Sequence, residues 1–273
     1  MRGIDFAFLD SGTGGIPYML YLKEKSPSSK CLYLADSKNF PYGEKTTEQI
    51  TNCSSQAVSL VTERWHPKAI VIACNTISVT ALNELREKFP EVPIVGTVPA
   101  IKLAAEVTKN KRIGLLATNA TVRHPYNKRL AEEFASDCTV FSRGDAELIS
   151  FIEHDLFTAT DEEKKQAVRP AVDFFKKNGC DTIILGCTHF VHLAEVIQHE
   201  AGDGVRVVDS REGVARQALK VESRAEEKDD HSDNTAGIQD CTLFVTGFTQ
   251  KKDAEEYSAL CKNLSIPFGG LLS

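Results

Sequence analysis

Lys68-Ala-Ile-Val-Ile-Ala-Cys74-Asn-Thr76 and Asp181-Thr-Ile-Ile-Leu-Gly-Cys187-Thr-His189 match in residue class and order. Each is a short aliphatic run without polar alternation, closed by a small residue, a cysteine and small polar residues. That pattern belongs to a strand buried on both faces of a parallel sheet, followed by a turn. Upstream, Phe6-Ala-Phe-Leu-Asp10-Ser-Gly-Thr13 pairs in the same way with Ile113-Gly-Leu-Leu-Ala-Thr118-Asn-Ala-Thr121. Cys74 lies 64 residues beyond Asp10, and Cys187 lies 69 beyond Thr118. The chain therefore reads as two related halves.

Working outward, similar runs predict strands at Ile4–Leu9, Cys31–Ala35, Ala69–Ala73, Ile94–Val98, Ile113–Ala117, Thr139–Phe141, Thr182–Leu185, Val205–Val208 and Leu243–Val245. Helical patterns lie between them at Thr47–Glu63, Ser78–Lys88, Pro125–Phe134, Asp161–Lys177 and Arg211–Leu219, and a last one covers Gln250–Asn263. Alternation of this kind makes an α/β protein. An eight-stranded barrel and doubly wound open sheets compete at this length. The internal repeat selects two similar open sheets. Glu222–Asp233 breaks the pattern with six acidic and two basic residues, and is expected to be a mobile loop.

Composition bounds the partners. The 273 residues carry a net charge of −6, which leaves no electrostatic footprint for a nucleic-acid backbone. Outside the acidic stretch the body carries only about −2, so an anionic substrate meets little repulsion. Eight cysteines suggest a disulfide framework, but the charged N-terminus Met1-Arg-Gly-Ile-Asp5 lacks the apolar stretch of a signal peptide, and no run approaches a membrane span. A cytoplasmic protein with reduced thiols is expected. No Cys-x-x-Cys pair is present, and Cys187-x-His189 lacks zinc-ligand spacing.

Cys74 and Cys187 occupy equivalent positions, each directly after a buried strand. In open α/β sheets ligands sit at the carboxyl ends of strands, and a following helix favours a thiolate. If the halves face each other, the two cysteines flank one cleft. One thiolate removes a proton and the opposing thiol replaces it, inverting a stereocentre without a cofactor; the thiol pKa of about 8.5 suits both roles. Asp10 opens the turn Ser11-Gly-Thr-Gly-Gly15, which lacks the dinucleotide-binding glycine pattern but suits close approach to an anion. His189 stands two residues beyond Cys187, where it can relay a proton. Pro41-Tyr42-Gly43 forms a turn, and Asn75, Thr76 and Thr188 offer neutral hydrogen bonds.

Asp10-Ser-Gly-Thr-Gly-Gly15, Pro41-Tyr-Gly-Glu-Lys-Thr46, Ile72-Ala-Cys-Asn-Thr76 and Leu185-Gly-Cys-Thr-His189 resemble the motifs of the glutamate racemases, within the aspartate/glutamate racemase group. Weaker pieces extend the match to Val245-Thr-Gly247. The resemblance implies two pseudo-symmetric flavodoxin-like α/β domains: residues 1–96 with 209–273, carrying the acidic loop near 222–240, and residues 97–208. It implies cofactor-independent interconversion of L- and D-glutamate for peptidoglycan, with a homodimer as the open assembly and no nucleic acid or membrane partner. Cys74 and Cys187 correspond to the acid/base thiols, Asp10 to the carboxylate assisting Cys74, and His189 to the group assisting Cys187. Ser11, Tyr42, Gly43, Asn75, Thr76 and Thr188 correspond to substrate-binding positions, which Asp10 and His189 also join. A further family glutamate follows a Cys-Pro that is missing here; Glu153 matches it by spacing and Glu147 less well, with a solvated Glu153 as the alternative. Asp36 and Glu44 have family-like surroundings, with exposed surface positions as the alternative.

Three other readings stay open on these residues. An aspartate racemase differs by one methylene in its substrate. A thiol hydrolase built on Cys187, His189 and an acid leaves Cys74 unexplained. A non-catalytic amino-acid-binding module needs neither thiol as acid or base.

Overall fold

A computed structural model describes residues 3–223, 238–248 and 252–272. The chain divides into two compact units, Met1–Thr97 with Arg211–Ser273, and Val98–Ser210. In the first unit the order is β1 (Phe6–Asp10), α1 (Ile16–Lys25), β2 (Cys31–Ala35), α2 (Thr47–Trp65), β3 (Ala69–Ile72), α3 (Asn75–Lys88) and β4 (Ile94–Gly96). The second unit holds α4 (Ile101–Val107), β5 (Arg112–Ala117), α5 (Asn119–Arg123), α6 (Pro125–Phe134), β6 (Thr139–Gly144), α7 (Ala146–His154), α8 (Asp161–Lys177), β7 (Thr182–Leu185), α9 (Ala194–Ala201) and β8 (Arg206–Val208). The chain then returns to the first unit with α10 (Arg211–Glu222), β9 (Thr242–Val245), α11 (Asp253–Asn263) and β10 (Phe268–Leu271).

Both sheets are parallel throughout. Their orders are β10-β9-β2-β1-β3-β4 and β6-β5-β7-β8. Taken from its own first strand, each sheet contains the 2-1-3-4 order of the flavodoxin-like doubly wound fold. The direction of winding reverses between β1 and β3 in one sheet and between β5 and β7 in the other. Crevices outside the carboxyl ends of strands at such reversals are where this architecture binds ligands.

Strands β1, β2, β3 and β7 are buried along their whole length, as their unbroken apolar runs require. The same expectation fails for β6 and β8, which lie at sheet edges and keep exposed positions. Strand β10 escapes the apolar pattern because two of its four residues are glycine. Helix α3 starts at Asn75 rather than at Ser78, with Cys74 in extended conformation as its N-cap. Ser78 looks like a cap in sequence, but its hydroxyl donates to the Ile72 carbonyl and accepts from the Thr97 N–H. The acidic stretch expected to be mobile lies outside the described residues from 224 to 237; Glu222 itself closes α10 and pairs with Lys68 at 3.3 Å.

Each sheet is held by its own core. In the first, Leu9, Leu34, Ile70 and Ile72 pack with Val58, Val61 and Trp65 of α2 and Ile77, Ala81 and Leu85 of α3. In the second, Ile113, Leu115 and Ile184 pack with Ile101 and Ala104 of α4. At roughly 1.5–3 kcal/mol per large aliphatic side chain buried, these contacts make the central strand ends rigid mounts for the turns beyond them.

Candidate active site

In the first unit, β1 ends in Asp10, whose fully buried carboxylate accepts from the Ser11 N–H at 2.6 Å and from the Ser11 hydroxyl at 3.4 Å. Beside it the ladder continues one residue past β3, where the Ala73 N–H donates to the Leu9 carbonyl at 2.8 Å. Cys74 follows, buried, as the N-cap of α3, at the end of the helix where the dipole is positive. Asn75 and Thr76 are buried in that same turn. The glycine-rich turn packs on this strand end: a Cβ at Gly15 would lie 2.6 Å from that of Ala73.

Asp36 follows β2 and is buried, not exposed, whereas Glu44 is exposed. The Asp36 carboxylate accepts from Asn39 Nδ2 at 3.0 and 3.1 Å, from the Thr246 hydroxyl at 2.7 Å and from the Tyr42 hydroxyl. Ser37 donates to the Gly247 carbonyl at 2.6 Å. The returning chain after β9 thereby clamps the segment that carries Pro41-Tyr42-Gly43. Burial first, and the Asp36 charge second, push the Tyr42 phenol far above its ordinary value, so Tyr42 remains a donor engaged with Asp36. Thr246→Val, which keeps the shape and removes the hydroxyl, is expected to lower the unfolding free energy by about 1–3 kcal/mol, because Asp36 loses a charged hydrogen bond. Urea denaturation measures this, and wild-type stability would contradict the clamp.

In the second unit the ladder also continues one residue, with the Gly186 N–H donating to the Leu116 carbonyl at 2.7 Å, and Cys187 follows, buried, in extended conformation before the 3₁₀ turn Thr188–Leu193. Register corrects the repeat. Leu9 pairs with Ile72, and Leu116 pairs with Leu185. The counterpart of Asp10 is therefore Ala117, and Thr118 answers to Ser11. Strand β5 supplies no carboxylate at its end.

The carboxylate comes instead from α7. Glu153 Oε2 lies 3.0 Å from His189 Nε2, and His189 Nδ1 lies 3.7 Å from Cys187 Sγ, with all three side chains buried. Leu148, Ile149, Ile152 and Glu153 form the inward face of α7, so Glu153 is not solvated, while Glu147 is exposed. Complete burial works against a charged His189, but the hydrogen bonds and charges of Cys187 and Glu153 outweigh it and hold its pKa well above 6.5. Protonated, the ring donates to both neighbours.

Thr188 is buried next to Cys187. The Thr118 hydroxyl donates to Thr121 Oγ1 at 2.9 Å and accepts from the Thr121 N–H at 3.0 Å. Thr118 thereby caps the short helix α5.

A family model described as Asp/Glu/Hydantoin racemase matches residues 21–218. A Treponema pallidum protein named glutamate racemase is 37% identical over 98% of this chain and 96% of its own length. A Proteus mirabilis glutamate racemase is 38% identical over 95% and 86%. Escherichia coli glutamate racemase, crystallised with L-glutamate and the activator UDP-MurNAc-Ala, superposes with a TM-score of 0.84 at 31% identity, covering 99% of this chain and 98% of that one. The chain belongs to the Asp/Glu/hydantoin racemase family.

In this racemase the other six cysteines are all free and differ from the strand-end pair in setting. Burial raises the pKa of Cys31, Cys53 and Cys138, and pushes Cys180 to about 11 and Cys241 and Cys261 to about 12. They stay protonated near neutral pH. Among the described residues, no group of three or more His, Cys, Asp or Glu side chains is arranged to hold a metal ion, and no helix is long and apolar enough to cross a membrane.

Proposed function

We propose that the chain interconverts L- and D-glutamate without a cofactor, supplying D-glutamate for peptidoglycan, with Cys74 and Cys187 as the acid/base pair. The observation that carries this reading is the equivalence of the two thiols. Each follows the third strand of its sheet by two residues, beside the reversal of winding, at the head of a helical turn. Glutamate as substrate is supported by the names of the relatives above.

One thiolate takes the proton from Cα, leaving the C–H electron pair on Cα and its carboxylate. The thiol of the other unit delivers its proton to the opposite face. The electron pair returns to a new C–H bond, the first sulfur ends protonated, and the second ends as the thiolate. Nothing is oxidised or reduced, so the reaction balances with no co-reactant. Asp10 assists Cys74; the His189–Glu153 pair assists Cys187. Ser11, Tyr42, Gly43, Asn75, Thr76 and Thr188 bind the amino acid.

In deuterated water, starting from L-glutamate without added cofactor, D-glutamate should form with deuterium at Cα. Product that keeps its original hydrogen rules out exchange through thiols. L-Aspartate in the same assay should react more slowly, since one methylene is worth about 1–3 kcal/mol, or about 10- to 200-fold; the reverse order would make the chain an aspartate racemase.

One observation favours a second reading. Cys187, His189 and Glu153 are lined up as a thiol hydrolase would need. That chemistry has no task for Cys74, and ester turnover that survives Cys74→Ala would establish it.

A further inference from the structure

Tyr33, inside β2 and fully buried, holds the glycine-rich turn from within. Its hydroxyl accepts from the Gly15 N–H at 2.9 Å and donates to the Gly12 carbonyl at 2.8 Å. One oxygen thus satisfies a buried donor and a buried acceptor three residues apart, which closes the turn around it. The Cβ that Gly15 lacks would lie 2.6 Å from Ala73 Cβ, 2.8 Å from the Ala73 carbonyl oxygen and 2.9 Å from the Tyr33 hydroxyl. The turn is therefore held tightly against both the tyrosine and the end of β3. Asp10 immediately precedes this turn, and Cys74 immediately follows Ala73.

We propose that Tyr33 is a positioning residue: through Gly12 and Gly15 it sets the turn, and with it the Asp10 carboxylate, against the strand end that carries Cys74. The proposal rests on the two-thiol reading. Both hydroxyl bonds named above run to the turn, and it is through the turn that Tyr33 acts on Asp10 and Cys74. In the second unit the register places Ser142 of β6 where Tyr33 stands in β2, since Phe8 pairs with Tyr33 and Leu115 with Ser142. Ser142 is exposed and carries no ring to brace a turn, so the effect of changing Tyr33 belongs to one thiol.

Tyr33→Phe removes the oxygen and keeps the ring. Because a misplacement of about 1 Å costs about 100-fold in rate, kcat is expected to fall about 10- to 100-fold with KM within about threefold. The pH profile for iodoacetamide alkylation of Cys74 should shift, and that of Cys187 should not. Gly15→Ala gives a second route should Tyr33→Phe not fold: it leaves Tyr33 intact, forces the turn off both supports, and should give the same one-sided signature. Wild-type kcat in both variants, or equal shifts at both thiols, overturns the proposal. Cys74→Ala separates this failure from failure of the underlying reading. If Cys74→Ala is inactive while Tyr33→Phe is unaffected, only the positioning role falls; if Cys74→Ala turns over fully, the two-thiol reading falls and the proposal with it.

Discussion

Replacing either Cys74 or Cys187 by Ala is expected to reduce racemisation of glutamate at least about 1000-fold, the scale of losing a positioned acid or base. In the proposed mechanism each thiol is the base for one enantiomer and the acid for the other, so neither single variant keeps a working direction. The two sites are closely matched in backbone terms. Each cysteine has an extended backbone, stands at the head of a helical turn, and follows a residue that extends the strand ladder by one hydrogen bond. Alanine keeps that backbone and removes only the sulfur, so folding should survive, as thermal melting would verify. Full turnover by either variant would refute the two-thiol mechanism. The pair also discriminates between chemistries: for a thiol hydrolase Cys74→Ala is silent, for a racemase it is as damaging as Cys187→Ala.

His189→Asn is expected to lower kcat/KM about 100-fold, by the same acid–base scale. The loss should be equal for the two enantiomers, because their equilibrium constant is unity. The imidazolium held by Glu153 donates to Cys187 sulfur; asparagine carries no charge to place beside it. The rate of alkylation of Cys187 should therefore change in the variant, while that of Cys74 stays in place. Unchanged alkylation of Cys187 would remove His189 from its assisting role. Stability provides an independent reading. A pKa raised on folding means that the native state holds the proton more tightly, so the stabilisation is fully present below the unfolded value of about 6.5. It is lost as pH rises through the folded value, which lies well above 6.5. Wild type should thus lose its advantage over His189→Asn on the alkaline side, as denaturation at several pH values would record.

How legible each feature is in sequence depends on how local it is. The central strands are legible because burial on both faces demands contiguous aliphatic residues. Strand β10 is not, since its pairing with β9 is made by backbone that includes two glycines. Glu153 is decidable from α7 itself: it lies four residues after Ile149, on the apolar face, whereas Glu147 lies on the solvent side. Asp36 is not decidable, because its burial depends on Thr246, which reaches it only after the chain has returned. Pairing Asp10 with Thr118 is one residue out because it matches polar residues with each other. The hydrogen-bond ladder places Ala117 opposite Asp10 instead.

The sequence by itself determined the two strand-end thiols and the α/β order around them. Strand, small residue, cysteine and helical start are neighbours in the chain, and their spacing comes from backbone geometry. Only the tertiary structure decided the geometry around them. Asp10 stands at the end of β1, the strand beside β3, whereas Glu153 of α7 reaches Cys187 through His189. Those partners are set by strand register and helix packing between segments far apart in sequence, and a repeat of residue types carries no record of either.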